Sequence, residues 1–217
     1  LKNERLGASV LSALVISNID AGLAASLELK PHHKSLGIVT SDCDDVTYVA
    51  LDEATKKVDV DVVYARSMYA GAGNASTKLA GEVIGIIAGP TPEEVRSGLD
   101  VVVYEIENGA SFFSANEDNT VPYFAHCISR AGSYLSAGAN AEEGTAIAYL
   151  IAPPAEAMVG LDAALKAADV SIGAFYGPPS ETNFAGGLLV GSQSACRAAC
   201  DAFARTIESI ASNPISY

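Results

Sequence analysis

The chain has 217 residues, 49% of them hydrophobic and only 18% charged, with a formal net charge of −13. An acidic surface repels phosphate backbones, which argues against nucleic acid as a partner and favours cations, small amines among them. No apolar run of the roughly 18 residues needed for a membrane span is present; Leu1 to Arg5 lacks a signal-peptide pattern, and four cysteines read as reduced thiols in a cytosolic compartment.

The expected elements form two series. Val10 to Ser17 is apolar and β-rich and reads as a leading strand, followed by a strand at Ser35 to Thr40. A helix is expected from Val46 to Lys57, capped by Asp44 or Asp45, because a carboxylate accepts the free first-turn amides. Val58 to Tyr64, rich in β-branched residues, reads as a strand, Gly71 to Ala75 as a loop, and Glu82 to Ala88 as a buried strand stopped by Gly89-Pro90. Pro92-Glu93-Glu94 opens a helix that runs to Asn108 and ends at Gly109; proline is tolerated in a first turn and acids favour its positive end. The polar stretch Asn108 to Asn119, with Ser111-Phe112-Phe113-Ser114 at its centre, reads as a connecting loop. The second series has strands at Val121 to Ser129 and Ala146 to Ala152, and a helix from Pro154 to Ala167. A strand at Val170 to Tyr176, a loop at Gly177 to Ser180, a strand at Gly187 to Gly191 and a helix from Gln193 to Ala211 complete it.

The two series are copies. Leu51-Asp52-Glu53-Ala54-Thr55-Lys56, then Val58-Asp59-Val60, recurs as Leu161-Asp162-Ala163-Ala164-Leu165-Lys166, then Ala168-Asp169-Val170, at an offset of 110. Arg96 and Asp100 recur as Arg197 and Asp201 at an offset of 101, so the second copy has lost residues, mostly between its strands. One unit has been duplicated and fused. The fold class that follows is α/β (α+β) in two units, 1–110 and 111–217. Two like units suit a pseudo-symmetric tile or pore better than a single catalytic cleft.

Several residues could carry chemistry. Asp42, Asp44 and Asp45 place three carboxylates within four residues at a strand-to-helix junction, as a helix cap with solvated neighbours or as an acidic lining that attracts ammonium. Glu82 opens an otherwise apolar strand, either solvated at its end or paired. Tyr69 leads into Gly71-Ala72-Gly73, and Phe112 and Phe113 stand between the copies; ordinary packing or a hinged aromatic plug fits both. Cys196 and Cys200 share a helix face and read as core. With His32, His33 and His126 they form no compact ligand spacing, so no metal site is expected, and Pro31-His32-His33-Lys34 reads as a surface turn. Gly71-Ala72-Gly73-Asn74-Ala75 lacks the lysine of a phosphate loop, and Gly191-Ser192-Gln193-Ser194-Ala195 is a poor nucleophile elbow, so an enzyme is not expected.

Asp42-Cys43-Asp44-Asp45-Val46-Thr47-Tyr48, Arg130-Ala131-Gly132-Ser133-Tyr134-Leu135-Ser136 and Pro178-Pro179-Ser180-Glu181-Thr182-Asn183-Phe184 resemble the bacterial microcompartment shell proteins. The likeness is to the L-type group of the ethanolamine-utilisation compartment and covers essentially the whole chain. It implies two tandem, circularly permuted shell domains, with the leading strands at Val10 and Val121 as the permuted elements. It also implies a pseudo-hexagonal homotrimer that tiles with other shell proteins around a cytoplasmic compartment. On this resemblance Asp44 and Asp45 line small pores. Asp45, Glu82, the Thr182 hydroxyl and a backbone carbonyl near Phe112 would bind ethanolamine. Tyr69, Gly73, Phe112 and Phe113 would gate a central pore. No cofactor is required, and a corrinoid (cobalamin) is a possible ligand. The alternative is an amine- or corrinoid-binding protein that never tiles.

Overall fold

The computed structural model describes residues 1–68, 77 and 79–217. In chain order the elements are β1 (Arg5–Leu6), β2 (Val10–Ile16), α1 (Ala21–Ser26), β3 (Ser35–Ser41), α2 (Asp44–Lys57), β4 (Asp61–Ser67), β5 (Val83–Gly89) and α3 (Pro92–Asn108). They continue with β6 (Phe112–Ser114), β7 (Pro122–Ile128), α4 (Ser133–Gly138), β8 (Ala146–Ala152), α5 (Pro154–Ala167), β9 (Val170–Tyr176), β10 (Ala185–Gly191) and α6 (Gln193–Ser212). One compact unit comprises Ala8–Ala110 and Gly132–Leu135; the other comprises Leu1–Gly7, Ser111–Ala131 and Ser136–Tyr217.

Both units are built on an antiparallel sheet of the same order, β2-β3-β5-β4 in the first and β7-β8-β10-β9 in the second, where β6 and β1 add two further strands. The duplication extends to a backbone irregularity. The β4–β5 register skips Val63 and the β9–β10 register skips Gly173, 110 residues later. A bulge re-aims the strand that carries it and is a designed feature of a fold. The second copy is shorter because residues 177–184 replace the longer connection 68–82 between the matching strands.

In the first unit α2 and α3 cover one face of the sheet. Leu51 of α2 packs over Gly85, and Val95 and Leu99 of α3 over Gly37. A Cβ on Gly37 would meet Leu99 at 2.8 Å and Val95 at 2.9 Å, so the bare position is what lets α3 lie this close. On the opposite face Leu36, Ile86 and Ala88 are buried against Ile16, Ile19, Leu27 and Leu29. Each fully buried Leu or Ile contributes about 1.5–3 kcal/mol. The core of the second unit gathers Leu150, Leu189, Phe203 and Ile207 with Cys196 and Cys200.

Some boundaries differ from expectation. The β-branched run from Val58 does not start a strand, because the Val58 amide still donates to the Ala54 carbonyl at the exit of α2; β4 begins at Asp61. The segment between the copies is not all loop: β6 pairs Phe113 with Arg5 and with Tyr123. Two six-residue helices, α1 and α4, are additional. The turn at Lys30 to Lys34 is present, yet His33 within it is only 4% exposed, since Asp61 and the Lys30 amide engage both its ring nitrogens.

One buried carboxylate organises part of the first unit. Asp52 is 1% exposed; it accepts the Gly132 amide at 2.7 Å and the Leu135 amide at 2.8 Å, while the Thr55 hydroxyl accepts the Ser133 amide at 3.2 Å. The first amides of a helix have no partner within it, and these bonds supply one. Burial raises the Asp52 carboxyl above its ordinary value of 3.8, with the two amide bonds opposing. A raised folded value means this contribution is complete below the unfolded pKa and lost as pH rises through the folded one. Asp52→Ala is expected to cost about 3 kcal/mol in urea unfolding, since two amides lose a charged acceptor. The stability of the native chain relative to Asp52→Asn should fall as pH climbs above 3.8; a difference that grows with pH would contradict the assignment.

Candidate functional site

Sheet register collects the candidate carboxylates of the first unit. Ser41 at the end of β3 and Ser67 at the end of β4 both lie opposite Val83, the first residue of β5. The Glu82 amide donates to the Ser41 carbonyl at 2.8 Å, and the Glu82 carbonyl accepts the Met68 amide at 2.8 Å. Asp42 to Asp45, Ser67 and Glu82 therefore share one end of the sheet. Gly81 sets the approach to Glu82: its φ is +68°, and a Cβ there would fall 2.2 Å from the Ser41 carbonyl oxygen.

Neither Asp44 nor Asp45 caps α2. The N-cap is Cys43, which makes no side-chain cap bond, and both aspartates lie in the first turn. The junction is tied by buried hydroxyls instead. Thr47 Oγ1 donates to the Cys43 carbonyl at 2.8 Å and lies 2.6 Å from Ser41 Oγ, which accepts the Cys43 amide at 3.2 Å. Both aspartates lie inside the first turn, where they profit from the positive end of the helix.

The two carboxylates are held differently. Asp44 accepts the Asp45 amide at 2.9 Å and the Ser67 hydroxyl at 2.7 Å. Ser67 spends its only proton on Asp44, so the Tyr48 hydroxyl 2.5 Å away is the donor to Ser67. Burial pushes the Tyr48 phenol far up, with Asp44 and Asp45 adding to the effect, which keeps that proton in place. Asp45 is 8% exposed, whereas Asp44 and Glu82 are half-buried. The local field is negative: the Cys43 thiol is raised by burial first and then by Asp45, Asp44 and Asp42. Asp42 is exposed, and its carboxylate takes the Ser9 amide at 2.7 Å.

The other candidates belong to the second unit or fall outside the described residues. Phe112 and Thr182 belong to the second unit. Phe112 is 9% exposed, with its ring centroid 5.1 Å from Phe124 and 5.9 Å from Phe184. Phe113 is half-buried, its ring 6.4 Å from Tyr123. The Thr182 hydroxyl accepts the Phe184 amide at 3.3 Å and lies 3.3 Å from Ser180 Oγ. Tyr69 and Gly73 fall outside the described residues. At the corresponding sheet end of the second copy, Pro154 and Ala155 replace Asp44 and Asp45, and Phe184 replaces Glu82. Sequence reasoning overlooked Tyr48 and Ser67. The spacing of Asp44 and Tyr48 on one helix face is a signal for the first; only strand register reveals the second.

Residues 35–116 match the BMC domain family. Over all 217 residues the chain is 65% identical to the bacterial microcompartment shell protein EutL of Clostridium perfringens, with each chain covered completely. It superposes on the crystal structure of the ethanolamine utilization protein EutL from Leptotrichia buccalis with a TM-score of 0.98 at 63% identity, again over 100% of both chains. A trimeric shell protein, PduB, shares the fold alone, with a TM-score of 0.75 at 21% identity over 94% of this chain and 89% of that one. The chain belongs to the bacterial microcompartment shell proteins, with EutL among its full-length relatives, and its two sheets of like order are consistent with a tandem BMC fold. Its role is structural and its place is the microcompartment shell; its full-length relatives are named as shell proteins and not as enzymes. No helix among the described residues is long and apolar enough to cross a membrane.

Gly81→Ala should destabilise the chain by about 1–3 kcal/mol in thermal unfolding, because Ala must adopt a left-handed φ against the Ser41 carbonyl. An unchanged melting curve would show that the approach to Glu82 is not constrained.

Proposed function

We propose that three copies of this chain form a shell tile whose small openings are lined by Asp44 and Asp45, and that Asp45 and Glu82 hold the ammonium group of ethanolamine there. The observation that carries this reading is the gathering of Asp44, Asp45 and Glu82 at one end of the first sheet. A carboxylate and an ammonium about 4 Å apart attract by about 1 kcal/mol in water and about 4 kcal/mol at a protein surface. That draws a small amine in without trapping it, as a passage requires. The amine itself is suggested by the name of the Leptotrichia buccalis relative, and the trimer by the PduB structure.

A gate at a central opening is the second part of the proposal, with Tyr69, Gly73, Phe112 and Phe113 as its residues. For Phe112 a swing would have to break the packing against Phe124 and Phe184. Ethanolamine can bias such a gate only by binding one form better than the other.

Calorimetric titration of the purified chain with ethanolamine tests the site. Binding is expected at about millimolar Kd, about −4 kcal/mol. Asp45→Asn and Glu82→Gln keep side-chain shape and should each weaken it about tenfold, the cost of about 1.4 kcal/mol of charge-assisted bonding. Unchanged affinity in both variants would remove the assignment. Ethanolamine binding by a species that stays monomeric at high concentration would favour a non-tiling amine receptor instead.

A further inference from the structure

We propose that His32, His33 and Asp61 form a binding site for one divalent transition-metal ion of the zinc type. One ligand atom from each residue lies within 4.8 Å of the others. The site occupies the opposite end of the first sheet from the acidic cluster. Leu36 of β3 and Asp61 of β4 both pair with Ala88 of β5, and the Lys34 amide donates to the Gly89 carbonyl at 2.9 Å, so the turn ahead of β3 meets the start of β4. Sequence spacing hides this, since Asp61 is 28 residues from His33.

The geometry is partly preorganised. His33 is buried, and its Nδ1 accepts the Lys30 amide at 3.2 Å, so Nε2 carries the proton and donates to Asp61 Oδ2 at 2.9 Å. The Lys30 ammonium meets the same oxygen at 2.8 Å. The exposed His32 ring stands edge-on to His33, with centroids 4.3 Å apart. A ring N–H and an ammonium thus converge on the oxygen that a cation would take. Two imidazoles and one carboxylate suit Zn²⁺, Co²⁺ or Ni²⁺ and leave a fourth position for water, whereas Mg²⁺ and Ca²⁺ prefer oxygen alone. On binding, the His33 proton moves from Nε2 to Nδ1, the Lys30 amide gives up its bond, and the Lys30 ammonium leaves Asp61.

Competition of Zn²⁺ between the full chain and a chelator, with Co²⁺ as the spectroscopic probe, tests the proposal. One equivalent should bind, and the Co²⁺ form should show no thiolate charge-transfer band. His32→Ala, at an exposed position that leaves the fold intact, and Asp61→Asn should each weaken binding at least about tenfold, the loss that removal of even an outer partner brings. Lys30→Met should tighten it a few-fold, the worth of an exposed ion pair competing for Asp61. Asp45→Asn should change nothing. Affinity unaltered in His32→Ala, a thiolate band, loss of binding in Asp45→Asn, or no tightening in Lys30→Met would each overturn the site as drawn.

Discussion

The pairing of β3 with β5 sets both faces and both ends of the first unit. It runs without a break from Ser35 opposite Gly89 to Ser41 opposite Val83. Because side chains alternate along a strand, a slip of one residue would exchange the two faces. Leu36 and Ile86 would then turn toward the helices, and Gly37 and Gly85 would no longer lie beneath Leu99 and Leu51. The same register fixes what stands at the strand ends. At one end the Ser41 carbonyl holds Glu82 beside the aspartates; at the other the Gly89 carbonyl holds the turn that carries His33 against Asp61.

Duplication has kept the frame and freed the ends. The sheet order, the helix pair and the bulge at Val63 and Gly173 are common to both copies. Packing enforces these features, since a changed bulge would re-aim every residue beyond it. The chemistry at the sheet end is under no such constraint. Pro154 suits the first turn of α5 as well as Asp44 suits that of α2, for different reasons: one needs no amide partner, the other favours the positive helix end. A tile of three chains would therefore present acids at three of six similar positions.

Much of the frame was legible in the sequence because the two copies read each other. β8, α5 and β9 start and stop where the apolar pattern and proline signals place them, and Cys196 and Cys200 lie in the core. What escaped was short or non-local. A three-residue strand such as β6 carries too little pattern to separate from a loop, and α1 and α4 are too short to show a helical period. The acids were visible as a run, but their place inside the first turn was not, since it depends on where Cys43 leaves the strand and becomes the N-cap of α2. The partners of His33 were likewise invisible, because a histidine within a Pro-His-His-Lys turn reads as surface until the strand that supplies Asp61 is placed.

Sedimentation equilibrium of the purified chain over a range of concentrations bears most directly on the tile. A particle of three times the 22.3 kDa chain mass, associating into larger sheets as concentration rises, is the expected result. A chain that remains at 22.3 kDa throughout would contradict it.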